Sequence, residues 1–478
     1  DSTCEEHRFA IGLLQYLSPF MATKNSVTIL EVCRVSPPQK TPVSAIPTTL
    51  PLTFFDVLWL RFAPVQRVFF YETSHTDSPF LDTILPKLKD SLSLTLEQYL
   101  PLAGTLKWPK DSHKPIINYT EGDAISLSVA ESNANFYHLS GDNFVEAVEY
   151  HPLVPHLATS TEACSVIALQ VTTFSNCGFC IGITAHHAVL DGRSSTMFMK
   201  SWARICKLGG TDALSLEPEL TPCYDRMVIK DPIGLEAIYL NQWMNENGPN
   251  NKSLMVWELK TPPDTVRGTF KLTRANLEKL RQLIMTSMLE DKNKQKQPLH
   301  LSTFTLTCAY TFVCLAKAEQ PRDTKYLTAF SVDARHRLED PIPGTYFGNC
   351  VAGRIATLEG NELSGEEGMA VAVKAISEAI RSLGDGVLSG AEKWIEIVFT
   401  PKNARVIGVA GSPRFELYST DFGWGKPMKV DMISIDKTGA ISLSETRDGA
   451  GEVEVGLVLK KPEMEVFASL FAKGLEGL

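Results

Sequence analysis

His187-Ala188-Val189-Leu190-Asp191-Gly192 closes an apolar run that extends from Phe179 to Ala185. A short apolar run bounded by turn residues reads as a buried strand, so the histidine is delivered from a strand end into a loop. Imidazole titrates near neutrality without help and can take a proton at pH 7. His186 and His187 are neighbours and face opposite ways on a strand. His187 shares its face with Phe179, Ile181, Ile183 and Ala185, and His186 shares its face with Cys180, Gly182 and Thr184. A hydrogen-bonded core histidine is the other reading of such a pair.

Asp421-Phe422-Gly423-Trp424-Gly425 follows more than two hundred residues downstream, and Tyr346-Phe347-Gly348-Asn349-Cys350 lies between. The three motifs together resemble the plant BAHD acyltransferases, which move an acyl group from coenzyme A to a hydroxyl or amine. Tyr346 to Cys350 narrows the likeness to the branch that acylates glycosides of anthocyanins, flavonoids and other phenolics. The likeness runs from about Met21 to the C-terminus. DFGWG is its specific part, and HxxxD alone is common. The resemblance implies an α/β chain. Its two similar mixed-sheet domains would have the CoA-dependent, chloramphenicol acetyltransferase-like fold, with a channel between them.

Composition sets outer bounds. The chain has 478 residues, 44% hydrophobic and 21% charged, which suits a globular protein with a sizeable core. The net charge of −9 disfavours nucleic acid or an anionic membrane as partner. An anionic acyl-CoA would therefore need a local basic patch. No apolar run approaches the roughly 18 residues of a membrane span. The first twenty residues carry Glu5, Glu6, His7 and Arg8 before a short apolar patch, a poor secretory signal. The expected location is the cytoplasm. Ten scattered cysteines read as reduced, mostly buried thiols. Cys177 and Cys180 lack the helix start of a redox pair, and no second ligand pair makes a zinc site.

Residues 1–20 are expected to be an extension, with Met21-Ala22 as the natural start. Residues 21–215 form the N-terminal domain with HxxxD. Prolines 218, 222 and 232 mark a crossover over 216–250. Residues 251–478 form the C-terminal domain with YFGNC and DFGWG. Strands are expected at Val27 to Val35, Val68 to Tyr71, and Ser165 to Thr173 in a hairpin with Phe179 to His187. Ser78-Pro79 opens a helix whose Phe80, Ile84, Leu88, Leu92, Leu96 and Leu100 line one stripe, with Pro86 kinking or breaking it. Ser194 to Lys207, Ala275 to Ser287, Ser302 to Ala318, Glu366 to Leu383 and Pro462 to Lys473 read as helices. Lys292 to Gln297 reads as a polar loop. A second set of strands begins within Val256 to Phe270 and continues at Lys325 to Val332, Gly348 to Ala356, Lys429 to Ile435 and Glu452 to Leu459.

The resemblance implies direct transfer with His187 as general base, no acyl-enzyme and no bound cofactor or metal. Malonyl-CoA, or another acyl-CoA, would be the co-substrate and a phenolic glycoside the acceptor, in a monomeric enzyme. A hydroxycinnamoyl-CoA donor is the alternative, and a non-catalytic binding homologue is the rival of another class. Asp191 invites comparison with the orienting acid of a dyad. In the family the residue ties the loop down through an arginine. Gly192 would let the chain turn tightly behind it. Asp421 also looks structural by the resemblance, in a compact loop of two glycines and a tryptophan, with a catalytic carboxylate as the other reading. The segment before DFGWG, Val409 to Arg414, lacks the tryptophan of hydroxycinnamoyl-using relatives, so Ser412 or a nearby backbone N–H is the candidate oxyanion donor. Arg193 is the candidate clamp for the free carboxylate of malonyl-CoA, against a solvated arginine at a helix start. For the CoA body, Ser302 and Thr303 open a helix, and Asp333-Ala334-Arg335 resembles the family's Asp-x-Arg stretch. Arg335 could instead be an ion-pair partner. Arg267 and Lys271 are further phosphate candidates.

Overall fold

The computed structural model describes residues 26–38, 46–73, 80–209, 216–290, 299–320, 324–398, 404–449 and 451–477. The N-terminal extension, Met21-Ala22, Ser78-Pro79 and the loop 292–297 lie outside the described residues. Two large mixed sheets carry the fold. The first runs, edge to edge, Val27–Val35, Ile125–Ser132, Ile167–Phe174, Gly178–Ala185, Val65–Glu72 and Lys429–Met432. The second runs Val351–Glu359, Lys325–Asp333, Ala404–Gly411, Ile441–Glu445, Val453–Lys460, Thr265–Leu272 and Val145–Glu146. A small four-stranded sheet sits beside the first. Each half lends a strand to the other. Lys429–Met432 pairs with Val65–Glu72 in the first sheet, and Val145–Glu146 pairs with Thr265–Leu272 in the second.

The hairpin that delivers the histidine forms as its alternation demands. Ile167–Phe174 pairs antiparallel with Gly178–Ala185, and Asn176 takes the left-handed turn position at φ 57°. All eight residues of Gly178–Ala185 are buried, because the strand is central and both its faces are covered. The helix Gly192–Leu208 starts on an Asp191 cap, whose carboxylate accepts from Ser194 N at 2.8 Å, and ends on Gly209 at φ 62°. Its Trp202 is fully buried and donates to Leu88 O, which joins it to the helix Phe80–Gln98. That helix continues through Pro86 without a break. The helix Thr303–Glu319 is buried nearly all round, capped by Ser302, and fills the core under the second sheet.

Several sequence expectations shift. The segment read as a loose crossover holds the helix Leu235–Asn245, anchored by Trp243 Nε1 donating to Val57 O at 2.8 Å. The second set of strands begins at Thr265, because residues 249–262 run as irregular chain. Tyr346 to Cys350 precedes the strand Val351–Glu359 instead of entering it. Ala404–Gly411 and Ile441–Glu445, central in the second sheet, have too few alternating apolar residues to stand out in sequence. Among the described residues, no helix is long and apolar enough to cross a membrane.

Arg267 and Lys271 do not face a ligand space. Arg267 is 5% exposed, pairs with Asp431 at 3.5 Å and with Asp436, and lies over the Tyr150 ring. Lys271 pairs with Asp142 at 3.3 Å. Both belong to the ionic seam between the halves, so the phosphate role is withdrawn. Removing one partner of a buried pair leaves the other charge uncompensated, which costs about 3–5 kcal/mol. Arg267→Met is therefore expected to lower unfolding free energy by about that amount, read from urea melts of the full chain, with the m-value unchanged.

Candidate active site

A cavity of about 2,350 Å³ opens between the two halves. His187, Trp59, Arg193 and Ser195 line it from the first half, and Ser302, Thr303, Asp333 and Ser412 line it from the second. His186 turns the other way. It is fully buried, and its Nδ1 accepts from Ala188 N at 3.2 Å. The two rings part just past the end of the strand Gly178–Ala185, on opposite sides as the face assignment from sequence expects.

The His187 ring stacks on Trp59, with centroids 4.0 Å apart and planes 6° from parallel. Trp59 follows the short helix Phe54–Val57, which is held by a reciprocal cap between Thr53 and Asp56. Burial pushes the His187 pKa down to about 4, against smaller opposing contributions from its own backbone, Asp191 and Asn349. The ring is neutral at pH 7 and free to accept a proton. Its Nδ1 is buried without a hydrogen-bond partner, so no carboxylate orients it in the manner of a triad.

The loop itself is held from outside. Asn349 Nδ2 donates to His187 O at 2.9 Å and to Asp56 Oδ1 at 3.1 Å, and Asn349 N donates to Asp56 at 2.8 Å. Cys350 N donates to Asp191 Oδ2 at 3.1 Å. Asp191 is 3% exposed and meets Arg335 Nη2 at 2.9 Å. Its carboxylate also caps the helix Gly192–Leu208, so both oxygens are occupied away from the imidazole. The YFGNC stretch thus grips both ends of the HxxxD loop. Asp56, Trp59 and the clamp by Asn349 were missed in sequence. The motif Tyr346 to Cys350 was the available signal, and Asp56 and Trp59 carried none, since only folding brings them beside the loop.

Arg335 is fully buried. Its guanidinium meets Asp191, Asp333 at 3.1 Å, and the carbonyls of Tyr346 and Gly348. The expected CoA-binding part is corrected to an ion-pair anchor: every donor direction it uses points into protein. Asp333 is held below the usual carboxylate range. Burial works to raise it, and Arg335 and Arg193 outweigh that. Arg193 pairs with Asp333 at 3.2 Å and keeps 45% of its side chain exposed. Ser302 caps its helix through Thr305 N at 3.2 Å and presents the positive helix end to the cavity. Ser412 accepts from Arg414 N at 3.2 Å, leaving its own hydroxyl proton available. Gly192 serves a close approach and not a left-handed turn, since its φ is not positive. A Cβ there would lie 2.6 Å from the Phe415 ring of the other half.

Asp421 is absent from the cavity wall. Its Oδ2 pairs with Lys207 at 2.6 Å, and its Oδ1 accepts from Gly423 N and Gly425 N at 2.8 and 2.9 Å. Phe422 packs edge-on against Trp202 and Tyr71, and Trp424 against Phe179. DFGWG is a brace that packs on the end of the hairpin strand remote from His187 and on the helix behind it.

A model of the Transferase family matches residues 25–473. Phenolic glucoside malonyltransferase 1 of Arabidopsis thaliana is 42% identical, over 95% of this chain and 99% of the relative. The chain belongs to the BAHD acyltransferase family. It is accordingly an acyl-CoA-dependent acyltransferase. Malonyl-CoA:anthocyanidin 5-O-glucoside-6''-O-malonyltransferase of the same plant is 43% identical, over 95% of this chain and 99% of that relative. The crystal structure of vinorine synthase shares the fold, with a TM-score of 0.67 and 18% identity, over 93% of this chain and 98% of that one. The BAHD frame accounts for the two mixed sheets and the space between them.

Two outcomes follow from this geometry. An imidazole whose pKa lies below the ordinary 6.5 stays unprotonated as pH falls through that value. The acid limb of kcat/KM is therefore expected below pH 6, nearer 4 than 6.5. An acid limb at 6.5 in a pH–rate profile, with folding checked by fluorescence, contradicts it. Asn349→Ala frees the His187 carbonyl and takes one donor from Asp56, whose bond from the backbone N–H of residue 349 stays. It is expected to cut kcat at least tenfold and to cost about 1–3 kcal/mol of stability, read by steady-state kinetics and thermal melts.

Proposed function

We propose that this enzyme transfers a malonyl group from malonyl-CoA to a sugar hydroxyl of a phenolic or flavonoid glucoside. The observation that carries the chemistry is the neutral His187 ring at the wall of a cavity shared by both halves. In the proposed step, His187 takes the proton of the acceptor hydroxyl as its oxygen bonds to the thioester carbonyl carbon. The tetrahedral oxyanion collapses, the C–S bond breaks, and the thiolate leaves with the proton returned from His187. The products are the malonyl ester and coenzyme A. Ser412 stands as the oxyanion donor in this scheme.

The donor reading is supported by charge. Among the described residues, twelve Lys and Arg line the cavity against six Asp and Glu, in a chain whose net charge is −9. An anionic CoA is drawn to such a wall. The Ser302 helix end is our candidate contact for its phosphates or pantetheine. Both relatives named above carry malonyl transfer to a glucoside in their names. Arg193 is the proposed partner of the malonyl carboxylate, because its guanidinium is exposed to the cavity and, among the described residues, Asp333 alone pairs with it.

Release of CoA thiol from malonyl-CoA in the presence of 4-nitrophenyl β-glucoside tests the reaction. His187→Ala is expected to lower the rate by about 10²–10⁴-fold with the glucoside still bound. Equal rates would leave a different base, and no thiol release by the native chain would leave a binding protein. Arg193→Ala is expected to raise KM for malonyl-CoA about tenfold while leaving KM for acetyl-CoA unchanged, the size of one lost charge-assisted hydrogen bond. If coumaroyl-CoA is used faster than malonyl-CoA by the native enzyme, the donor assignment is wrong.

A further inference from the structure

The cavity wall carries polar groups that the acyl-transfer scheme does not use. Arg67 stands directly opposite Ile183 in the central hairpin of the first sheet. Opposed residues of an antiparallel pair share a face, and so do residues two and four positions along a strand. Arg67, Ala185 and His187 accordingly line the same space. Arg67 is 4% exposed. Among the described residues, its guanidinium has no hydrogen bond and no ion pair; the charge it senses is that of Glu445. Its nitrogens keep contact with the cavity, so the guanidinium is a donor turned toward the space a ligand would fill.

Glu445 lines the same cavity from the end of the strand Ile441–Glu445. Its Oε1 accepts from Tyr418 N at 2.8 Å, and its Oε2 is buried with no partner. Burial raises its pKa, and Lys200 and Arg67 are among the groups that pull it back. Arg67 and Glu445 therefore feel each other and do not touch. Thr446, next in the chain, is 3% exposed, and its Oγ1 is also buried without a partner in the cavity wall. The set holds a pure donor, a free acceptor and a hydroxyl that can do either. That mixture matches vicinal hydroxyls, each of which donates and accepts. It does not match a free carboxylate, which Arg67 would attract and Glu445 would oppose.

We propose that Arg67, Glu445 and Thr446 form the subsite that holds the non-reacting sugar hydroxyls of the acceptor while another hydroxyl meets His187. The inference rests on the glycoside reading of the acceptor given above. Arg67 lies opposite Ile183, four positions before His187, so the two cavity-lining side chains are set at most about 13 Å apart along the backbone. A glycoside spans that distance.

The test uses the full chain with 4-nitrophenyl β-glucoside and malonyl-CoA. Arg67→Met is expected to raise KM for the glucoside at least tenfold with KM for malonyl-CoA within twofold. Arg67→Lys should recover part of the loss. Thr446→Val keeps the shape, is least prone to misfold, and should raise glucoside KM about threefold to tenfold, the effect of one neutral hydrogen bond. Calorimetric titration with the glucoside alone separates this inference from the reaction itself. Tenfold weaker binding to Arg67→Met than to native protein supports the subsite whether or not malonyl transfer is seen. Equal glucoside binding overturns it. A rise in KM for malonyl-CoA but not acetyl-CoA also overturns it, since Arg67 would then clamp the donor's carboxylate.

Discussion

The ion pair between Asp191 and Arg335 is the contact on which the rest of the site depends. Their nitrogen and oxygen lie 2.9 Å apart, with the two side chains 2% and 0% exposed. One residue comes from the loop of the first half and the other from the segment after Lys325–Asp333 in the second. Neither can leave without stranding the other's charge in a low-dielectric interior. The loop that carries His187 is therefore fixed to both halves at once. The imidazole stands at their seam as a consequence.

That seam is polar by necessity. Two halves that met through apolar side chains alone would fill the space where two substrates must lie. Here discrete anchors hold the halves together around a void. Arg335 joins Asp191 and Asp333, Arg267 joins Asp431 and Asp436, and Asn349 joins Asp56 to the His187 carbonyl. The exchanged strands Lys429–Met432 and Val145–Glu146 add backbone ladders across the same boundary. The result is a rigid frame with a large gap, which is what reaction between two bound molecules requires. The same enclosure explains the neutral histidine. Stacked on Trp59 and walled by apolar strands, the ring loses the water that would stabilise its charged form.

Much of this was legible in the linear chain. The hairpin, the helix behind it and the buried helix Thr303–Glu319 all follow from apolar periodicity and good caps, which are local properties. The HxxxD, YFGNC and DFGWG motifs gave the family. Elements whose stability comes from position in a sheet were harder. Ala404–Gly411 is rich in small residues and lies central only because its neighbours cover it. The helix Leu235–Asn245 was hidden among prolines and polar residues, and forms around Trp243 packed on the first half. Roles of charged residues were the least legible. Arg335, Arg267 and Lys271 look alike as ligands in sequence, and their burial and partners assign them to the seam.

The chain by itself determined which groups are available: a histidine pair at the end of a buried strand, a capped helix behind it, and the three motifs. Those are consequences of residue type and short-range spacing. Only the tertiary structure decided which arginine meets which carboxylate, which imidazole looks into the cavity, and that Trp59, Asp56 and Asn349 stand around it. Such pairings join positions more than a hundred residues apart. Their energies depend on distance and desolvation, which exist only once the two halves have closed on each other.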